Sequence, residues 1–473
     1  MRRSRLTRAL TVLVSSVLAA AAFSQLEEAG IDAFLDAAAF NRRQAETAHA
    51  QIAAAWRDGH AAMLVDLLDV VQRTRELNPR TFMPTARLAE FLEAQTGQTF
   101  GADVERWREW IWSLPYAPHA SYNEFKGRLY ALLDPRFEVF FRAAVQPTVR
   151  LDEIQWGGVS INGIPPLDHP NHVPAAEADY LDDDNVVFGF VIDGEARAYP
   201  KRILAWHELA LDRVGGRDLA IVYCTLCGTV IPFDARVGGR VLTFGTSGLL
   251  YRSNKLMFDH ETASLWSSLT GEPVVGPLVE LKLKLSALPV VTTTWGEWRA
   301  RHPDTLVLSL DTGFTRDYSE GAAYRAYFAT DELMFGVSQR DARLPNKAEV
   351  LVVRSTAPLD AASPAAAATP PFAISTNLLR DHPVFHTAVD GTNVVVITST
   401  AGASRVYASE SYRFAATDGN ETVRDAEGRE WVVDEDFLAA MFDADVRLPR
   451  LPAHRAFWFG WYAQHPDTVL IDR

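Results

Sequence analysis

Apolar residues recur at helical spacing through Ile52, Ala53, Ala55 and Trp56, and again through Met63, Leu64, Leu67, Leu68 and Val71. Such spacing keeps one face of a 3.6-residue turn apolar, and it predicts helices across residues 26–145. Pro79 and Pro84 interrupt the run, and Arg87–Phe91 resumes it. Trp107, Trp110 and Trp112 follow in a charged helix, read as core or as a docking face, with further helical pattern from Phe125 to Phe141. From about residue 150 the texture changes to short β-type runs: Val186–Ile192, Leu219–Tyr223, Thr229–Phe233 and Val241–Phe244. Asp193-Gly194 and Gly238-Gly239 mark tight turns between them, and one helix, Lys201–Ala210, interrupts them. Too few helices separate the strands for a doubly wound sheet, so the predicted class is α+β.

The pattern also repeats. Trp295-Gly-Glu-Trp298 with His302-Pro-Asp-Thr305 recurs as Trp458-Phe-Gly-Trp461 with His465-Pro-Asp-Thr468, an interval of 163 residues. Tryptophans at i and i+3 share a helix face, proline ends the helix, and a strand follows, so the motif reads as a structural hinge. A second echo, at an interval of 175, sets the Val214-Gly-Gly216 turn against Val389-Asp-Gly391, His207 against His382 and Cys224 against Ser399. A third sets Trp266 against Trp431. The expected organisation is therefore a leader at 1–24, a helical N-terminal domain at 25–148, and two β-rich copies of one unit at 149–318 and 319–473. An Ala/Pro/Ser-rich stretch, Thr356–Pro371, reads as an insertion in the second copy.

Charge narrows the partners. The formal net charge is -14, and loss of Arg2, Arg3, Arg5 and Arg8 with the leader makes it about -18. No block of cations stands against it, which argues against nucleic acid as partner. Those arginines, the apolar run Ala9–Phe23 and the small residues at Ala22 and Ser24 have the form of a secretory signal peptide. Export to a periplasmic or extracellular setting is expected, with no membrane span in the remaining chain.

The 473 residues hold two cysteines, Cys224 and Cys227. The segment after Cys227, Gly228-Thr-Val-Ile-Pro-Phe233, is β-branched and contains proline, which opposes the helix on which a thioredoxin-type thiolate sits. Strand, Cys-x-x-Cys-Gly and strand instead suits a metal-binding knuckle, with two sulfurs on one tight turn. Two ligands are then still needed. His207 is the first candidate, His260 and Met257 the second, and His169 and His172 the third. Two thiolates with imidazole or thioether suit copper, zinc or iron. Glu208, Asp259 and Arg252 are secondary candidates for acid–base or anion chemistry. Gly245–Asn254 reads as a loop whose backbone approaches a ligand, but it matches neither a phosphate loop nor a hydrolase elbow. Three classes stay open: a metal-dependent oxidoreductase, a metal-free thiol–disulfide protein, and a non-catalytic binding or structural module.

Asn162-Gly-Ile-Pro-Pro, Gly194-Glu-Ala-Arg-Ala-Tyr-Pro, Trp206-His-Glu, Tyr223-Cys-Thr-Leu-Cys-Gly, Ser247-Gly-Leu-Leu-Tyr, Leu256-Met-Phe-Asp and Ser264-Leu-Trp-Ser-Ser-Leu-Thr-Gly together resemble the domain-of-unknown-function 3179 family. The resemblance runs from about Leu151 to the C-terminus. It implies an exported protein and places Cys224, Cys227 and His207 among the family's motif residues. It implies no reaction, substrate or catalytic residue.

Overall fold

The computed structural model describes residues 30–77, 85–142, 145–353, 371–389, 391–417 and 421–473. The expected leader, the two helix-breaking prolines and nearly all of the Ala/Pro/Ser-rich stretch lie outside them. The chain divides into two units, 1–153 and 154–473.

The first unit is helical. It comprises α1 (Gly30–Asp36), α2 (Arg42–Ala54), α3 (Gly59–Leu77), α4 (Thr85–Thr96), α5 (Val104–Ser113) and α6 (Tyr122–Tyr130). Asn41 caps α2 by accepting from the amides of Arg43 and Gln44, and Asp103 caps α5 through the amide of Arg106. Trp107 and Trp112 are buried in this unit, and the Trp107 indole donates to the Gly101 carbonyl at 2.9 Å. A buried ion pair, Lys126 to Asp66 at 2.7 Å, is completed by the Tyr122 hydroxyl at 2.6 Å from the same carboxylate oxygen.

Two stretches of the second unit share a frame sheet and a tryptophan-bearing helix in matching order. In the first half β1 (Val186–Ile192) and β2 (Glu195–Pro200) form a hairpin around Asp193-Gly194, both with positive φ. Then come α7 (Lys201–His207), β3 (Leu209–Val214), β4 (Arg217–Cys224), β5 (Thr229–Asp234), β6 (Phe244–Tyr251), β7 (Asn254–Asp259), β8 (Val291–Thr294), α8 (Trp295–Arg301) and β9 (Leu306–Leu308). One short helix, α9 (Arg325–Phe328), interrupts the segment leading to the second half. There β10 (Glu349–Val353), β11 (Phe372–Ser375), α10 (Thr376–Asp381), β12 (Val384–Val389), β13 (Thr392–Thr398), β14 (Ser404–Ala408), β15 (Ala453–Phe457), α11 (Trp458–Tyr462) and β16 (Val469–Ile471) follow in the same order.

The sheets match as well. The frame sheet of the first half runs β8-β1-β2-β9, with His172–Pro174 at its edge, and that of the second runs β15-β10-β11-β16. In both, the last strand is parallel to its neighbour while the other labelled pairs are antiparallel. Single hydrogen bonds repeat at the sequence interval. Trp295 and Trp458 donate their amides to Asn185 and Ala348, each at 2.8 Å. The indoles of Trp298 and Trp461 each reach the threonine seven residues on, Thr305 and Thr468, at 3.0 Å. These bonds make the tryptophan–histidine motif a helix-to-strand hinge in both halves. The halves are not separate cores: Leu209, Ala220 and Val222 pack in one cluster with Val350, Val352, Ala373 and Trp458. The α+β class is thus observed, with helices gathered in the first unit and strands in the second.

Two local expectations are corrected. The helix expected to reach Ala210 stops at His207, because Glu208 takes a left-handed φ of 58° and its amide closes onto Leu204. The stretch expected as a loop, Gly245–Asn254, is mostly strand: β6 continues to Tyr251 through a register shift between Thr246 and Leu250, where Gly248 has φ 79°.

Candidate functional site

Cys224 is the last residue of β4, and Cys227 sits in the turn that returns the chain to β5. The Cys227 amide donates to the Cys224 carbonyl at 3.2 Å, and Gly228 follows with φ 62°, a conformation that side chains disfavour. The turn therefore presents both sulfurs together, 2.8 Å apart, as free thiols. Cys224 is 3% exposed and Cys227 0%. They share an apolar cluster with Leu226, Leu250, Tyr327 and Phe335.

The two thiols are not equivalent. The Cys227 sulfur also lies 3.2 Å from the Ser253 carbonyl, which only accepts, so the Cys227 thiol donates there while the Cys224 thiol donates to the Cys227 sulfur. Burial pushes the Cys227 thiol well up, and the neighbouring Cys224 adds to this. Burial also pushes Cys224 up, but its hydrogen bonding with the Cys227 side chain and the Lys255 backbone amide outweighs this and holds Cys224 below the ordinary thiol value. The pair loses its first proton at Cys224.

Polar groups from three other stretches gather beside the turn. Glu208, held at the end of α7, receives the Tyr324 hydroxyl at 2.9 Å and the Thr225 hydroxyl at 3.3 Å on one carboxylate oxygen. The Lys255 ammonium, only 4% exposed, lies 2.9 Å from the Glu208 carbonyl and 3.6 Å from its carboxylate. Burial lowers the Lys255 pKa, against the raising effects of Glu208 and Cys224. Glu208, Lys255 and Tyr324 line one wall of a cavity of about 50 Å³. Leu226, Leu249, Leu250, Met334 and Phe335 supply apolar walls.

The other half of the unit closes the turn from the far side. The Phe457 amide donates to the Cys227 carbonyl at 2.7 Å. Gly460 of α11 lies so close that a methyl group there would stand 3.0 Å from the Cys227 Cβ and 3.4 Å from its sulfur.

Of the predicted residues, the structure brings together Cys224, Cys227 and Glu208. His207 is occupied elsewhere: Nδ1 lies 2.8 Å from the Pro165 carbonyl and Nε2 2.6 Å from the Tyr318 hydroxyl. A carbonyl only accepts, so Nδ1 carries the proton and Nε2 takes the Tyr318 hydrogen, leaving no lone pair for an ion. Burial keeps this imidazole neutral by lowering its pKa. Met257 is buried in the core cluster beside Trp266. His260 is exposed and packs against the Phe258 ring at 4.7 Å. His169 is exposed, and His172 lies 3.3 Å from Asp212. Asp259 organises its own turn, accepting from the Thr262 amide at 2.6 Å and the Trp266 indole at 2.9 Å. Arg252 donates to the Ala463 carbonyl at 2.8 Å. Among the described residues no group of three or more His, Cys, Asp or Glu side chains is placed to share a metal ion. The donors at the turn are two sulfurs, which alone do not make the four-ligand site that a structural metal knuckle needs.

Lys255 and Tyr324 were not foreseen. A lysine directly before the apolar run Leu256-Met-Phe258 was the available signal for the first. Tyr324 lies 116 residues from Glu208, beyond reach of any local pattern.

Fold and site define an α+β protein whose β-rich unit holds one buried dithiol, in one half only. Residues 161–468 match the family described as Protein of unknown function (DUF3179), and the chain belongs to that family. No curated protein and no solved structure matches the chain. Among the described residues no helix is long and apolar enough to cross a membrane.

Proposed function

We propose that the second unit is a thiol redox module, with Cys224 as the nucleophile and Cys227 as the resolving thiol. The observation that carries this reading is the pair of free sulfurs 2.8 Å apart, beside a cavity walled by Lys255, Glu208 and Tyr324. An ionised Cys224 attacks an external disulfide or peroxide, breaking its S–S or O–O bond and releasing one half as an anion. Cys227 then gives up its proton and attacks the Cys224 sulfur, expelling the half bound there as a thiol or, from a sulfenic acid, as water, and forming the intramolecular disulfide. Two electrons and two protons leave the protein in one turn of this cycle. The acid-shifted Cys224 and the proton-holding Cys227 are the order of events such a cycle requires.

Oxidation of reduced, untagged protein, followed by thiol counting and equilibration in redox buffers, tests the reading. A reversible pair with a potential above about −300 mV is expected, whereas a more reducing pair is a structural disulfide. Metal analysis of the same sample addresses the metal-dependent class. Stoichiometric copper, zinc or iron that disappears in Cys224→Ser would replace the dithiol reading by a thiolate–metal one. Function retained without either cysteine would leave a non-catalytic module. We also propose export, on the arginine-led apolar start of the chain, with Gln25 as the first residue of the mature protein; N-terminal sequencing checks it.

A further inference from the structure

Resting on the dithiol reading, we infer that the oxidant is a small hydroperoxide, admitted through the cavity beside the thiols, rather than a protein disulfide. Access decides this first. Cys224 is 3% exposed and lies behind the cavity lining: Leu226, Leu250 and Phe335 line the cavity and pack in the thiols' cluster, so only a small reagent passes them to the sulfur. A disulfide must place its two sulfurs in line with the attacking thiolate, with bulky substituents on either side. A cavity of about 50 Å³ holds only a few water-sized molecules, so hydrogen peroxide enters and a polypeptide does not.

The cavity wall then supplies what O–O cleavage needs. Peroxide reduction makes a poor leaving group, hydroxide or alkoxide, which must be protonated as it departs. Lys255 and Tyr324 line the cavity, and the Lys255 ammonium and the Tyr324 hydroxyl both meet Glu208. Thiol–disulfide exchange has no such requirement, because a thiolate leaves unaided. In the first step the Cys224 thiolate attacks one peroxide oxygen, the O–O bond breaks, and the departing oxygen takes a proton from the Lys255–Tyr324 pair. The products are Cys224 sulfenic acid and water, or an alcohol from an organic hydroperoxide. In the second step Cys227 attacks the sulfenic sulfur and releases water, giving the disulfide. The sum is a dithiol plus a hydroperoxide yielding a disulfide, an alcohol or water, and one further water.

The test uses the full chain, reduced and free of reductant. Hydrogen peroxide, oxidised glutathione and oxidised thioredoxin are added separately, and thiol loss is followed in time. Hydrogen peroxide is expected to oxidise the folded protein at least ~10-fold faster than the chain unfolded in denaturant, because only the folded site lowers the Cys224 pKa and donates to the leaving oxygen. In Cys227→Ser the reaction is expected to stop at a sulfenic acid on Cys224, trapped by dimedone. Lys255→Met, and independently Tyr324→Phe, should slow the peroxide step by up to about 10²-fold without abolishing oxidation by diamide, a small reagent whose reaction does not cleave an O–O bond. Faster oxidation by glutathione disulfide or thioredoxin, or peroxide oxidation no faster than in the unfolded chain, overturns the hydroperoxide inference and leaves the dithiol reading standing. A folded protein whose thiols no reagent, diamide included, converts to a disulfide overturns both.

Discussion

The two halves of the second unit carry the same turn and use it differently. In the first, the turn between β4 and β5 holds Cys224 and Cys227. In the second, the turn between β13 and β14 holds Ser399, whose hydroxyl donates to Glu297 at 2.6 Å and accepts from the Ala403 amide at 3.1 Å. The helix of the opposite half closes each turn. Against Ser399 stands Glu297 of α8, and against Cys227 stands Gly460 of α11. These two residues occupy the same position in the repeated tryptophan motif, 163 residues apart. One contact is a charged bond, the other bare backbone on sulfur.

The charged version extends into a buried network. Glu297 meets Arg405 at 3.3 Å, and Arg405 meets Glu435 at 2.6 Å. Arg450 pairs with the other oxygen of Glu435, and His302 lies 3.6 Å away. Burial alone would push the Glu435 carboxyl up, but Arg405 and Arg450 hold it well below the ordinary range. A fixed network of this kind positions the two halves and offers no reactive atom. The thiol version gives up those bonds and leaves a group able to change oxidation state. The comparison teaches that one turn is anchored by a buried charge network and the other is closed by backbone against two free thiols.

The largest effect is expected where anchoring is concentrated. Glu435→Gln strips Arg405 and Arg450 of their common carboxylate and should cost about 3–5 kcal/mol in denaturant unfolding of the full chain. A loss below about 1 kcal/mol would break the assignment of this turn as the anchor. Next is Gly460→Ala, which forces a methyl group to 3.0 Å from the Cys227 Cβ and should cost about 1–3 kcal/mol. It should also slow closure of the disulfide, because Cys227 must shift; unchanged closure would show that α11 does not position the resolving thiol. Ser399→Ala removes one donor from Glu297 and should cost about 1 kcal/mol, with thiol chemistry untouched. Complete in chemistry, Cys224→Ser should cost about 1 kcal/mol of unfolding free energy, the hydroxyl keeping the hydrogen bond of the Lys255 amide, and should abolish reversible oxidation.

A pH series sharpens the asymmetry of the thiol pair. Free thiols titrate near about 8.5, and Cys224 is held lower, so its thiolate persists as pH falls below that value. Its alkylation by iodoacetamide should decline only as pH drops through its own, lower pKa. Cys227, pushed up, should stay unreactive until well above it. One transition near the free-thiol value for both residues would remove the distinction between nucleophile and resolving thiol.

Much of the frame was readable from local pattern. Helical spacing located α2 and α3, glycine-containing pairs located the hairpin turns, and the doubled tryptophan motif marked the two helix-to-strand hinges. The setting of the cysteines between strands was readable for the same reason, since β-branched residues and Pro232 exclude a helix after Cys227. The partners of the thiols were not. His207 stood one residue from the right answer: the left-handed turn at Glu208 carries the glutamate to the site while the imidazole bonds to Pro165 and Tyr318.

The sequence by itself determined the elements, their matching order and the sulfur-bearing turn, because those follow from short-range periodicity and turn chemistry. The tertiary structure alone decided that Lys255, Glu208 and Tyr324 share a cavity wall beside the thiols, and that Glu297 and Gly460 close opposite turns. Such groupings arise when chain-distant segments pack across strands and between halves. The side chains that meet there are selected by the geometry of the assembled core, which leaves no periodic mark on the chain.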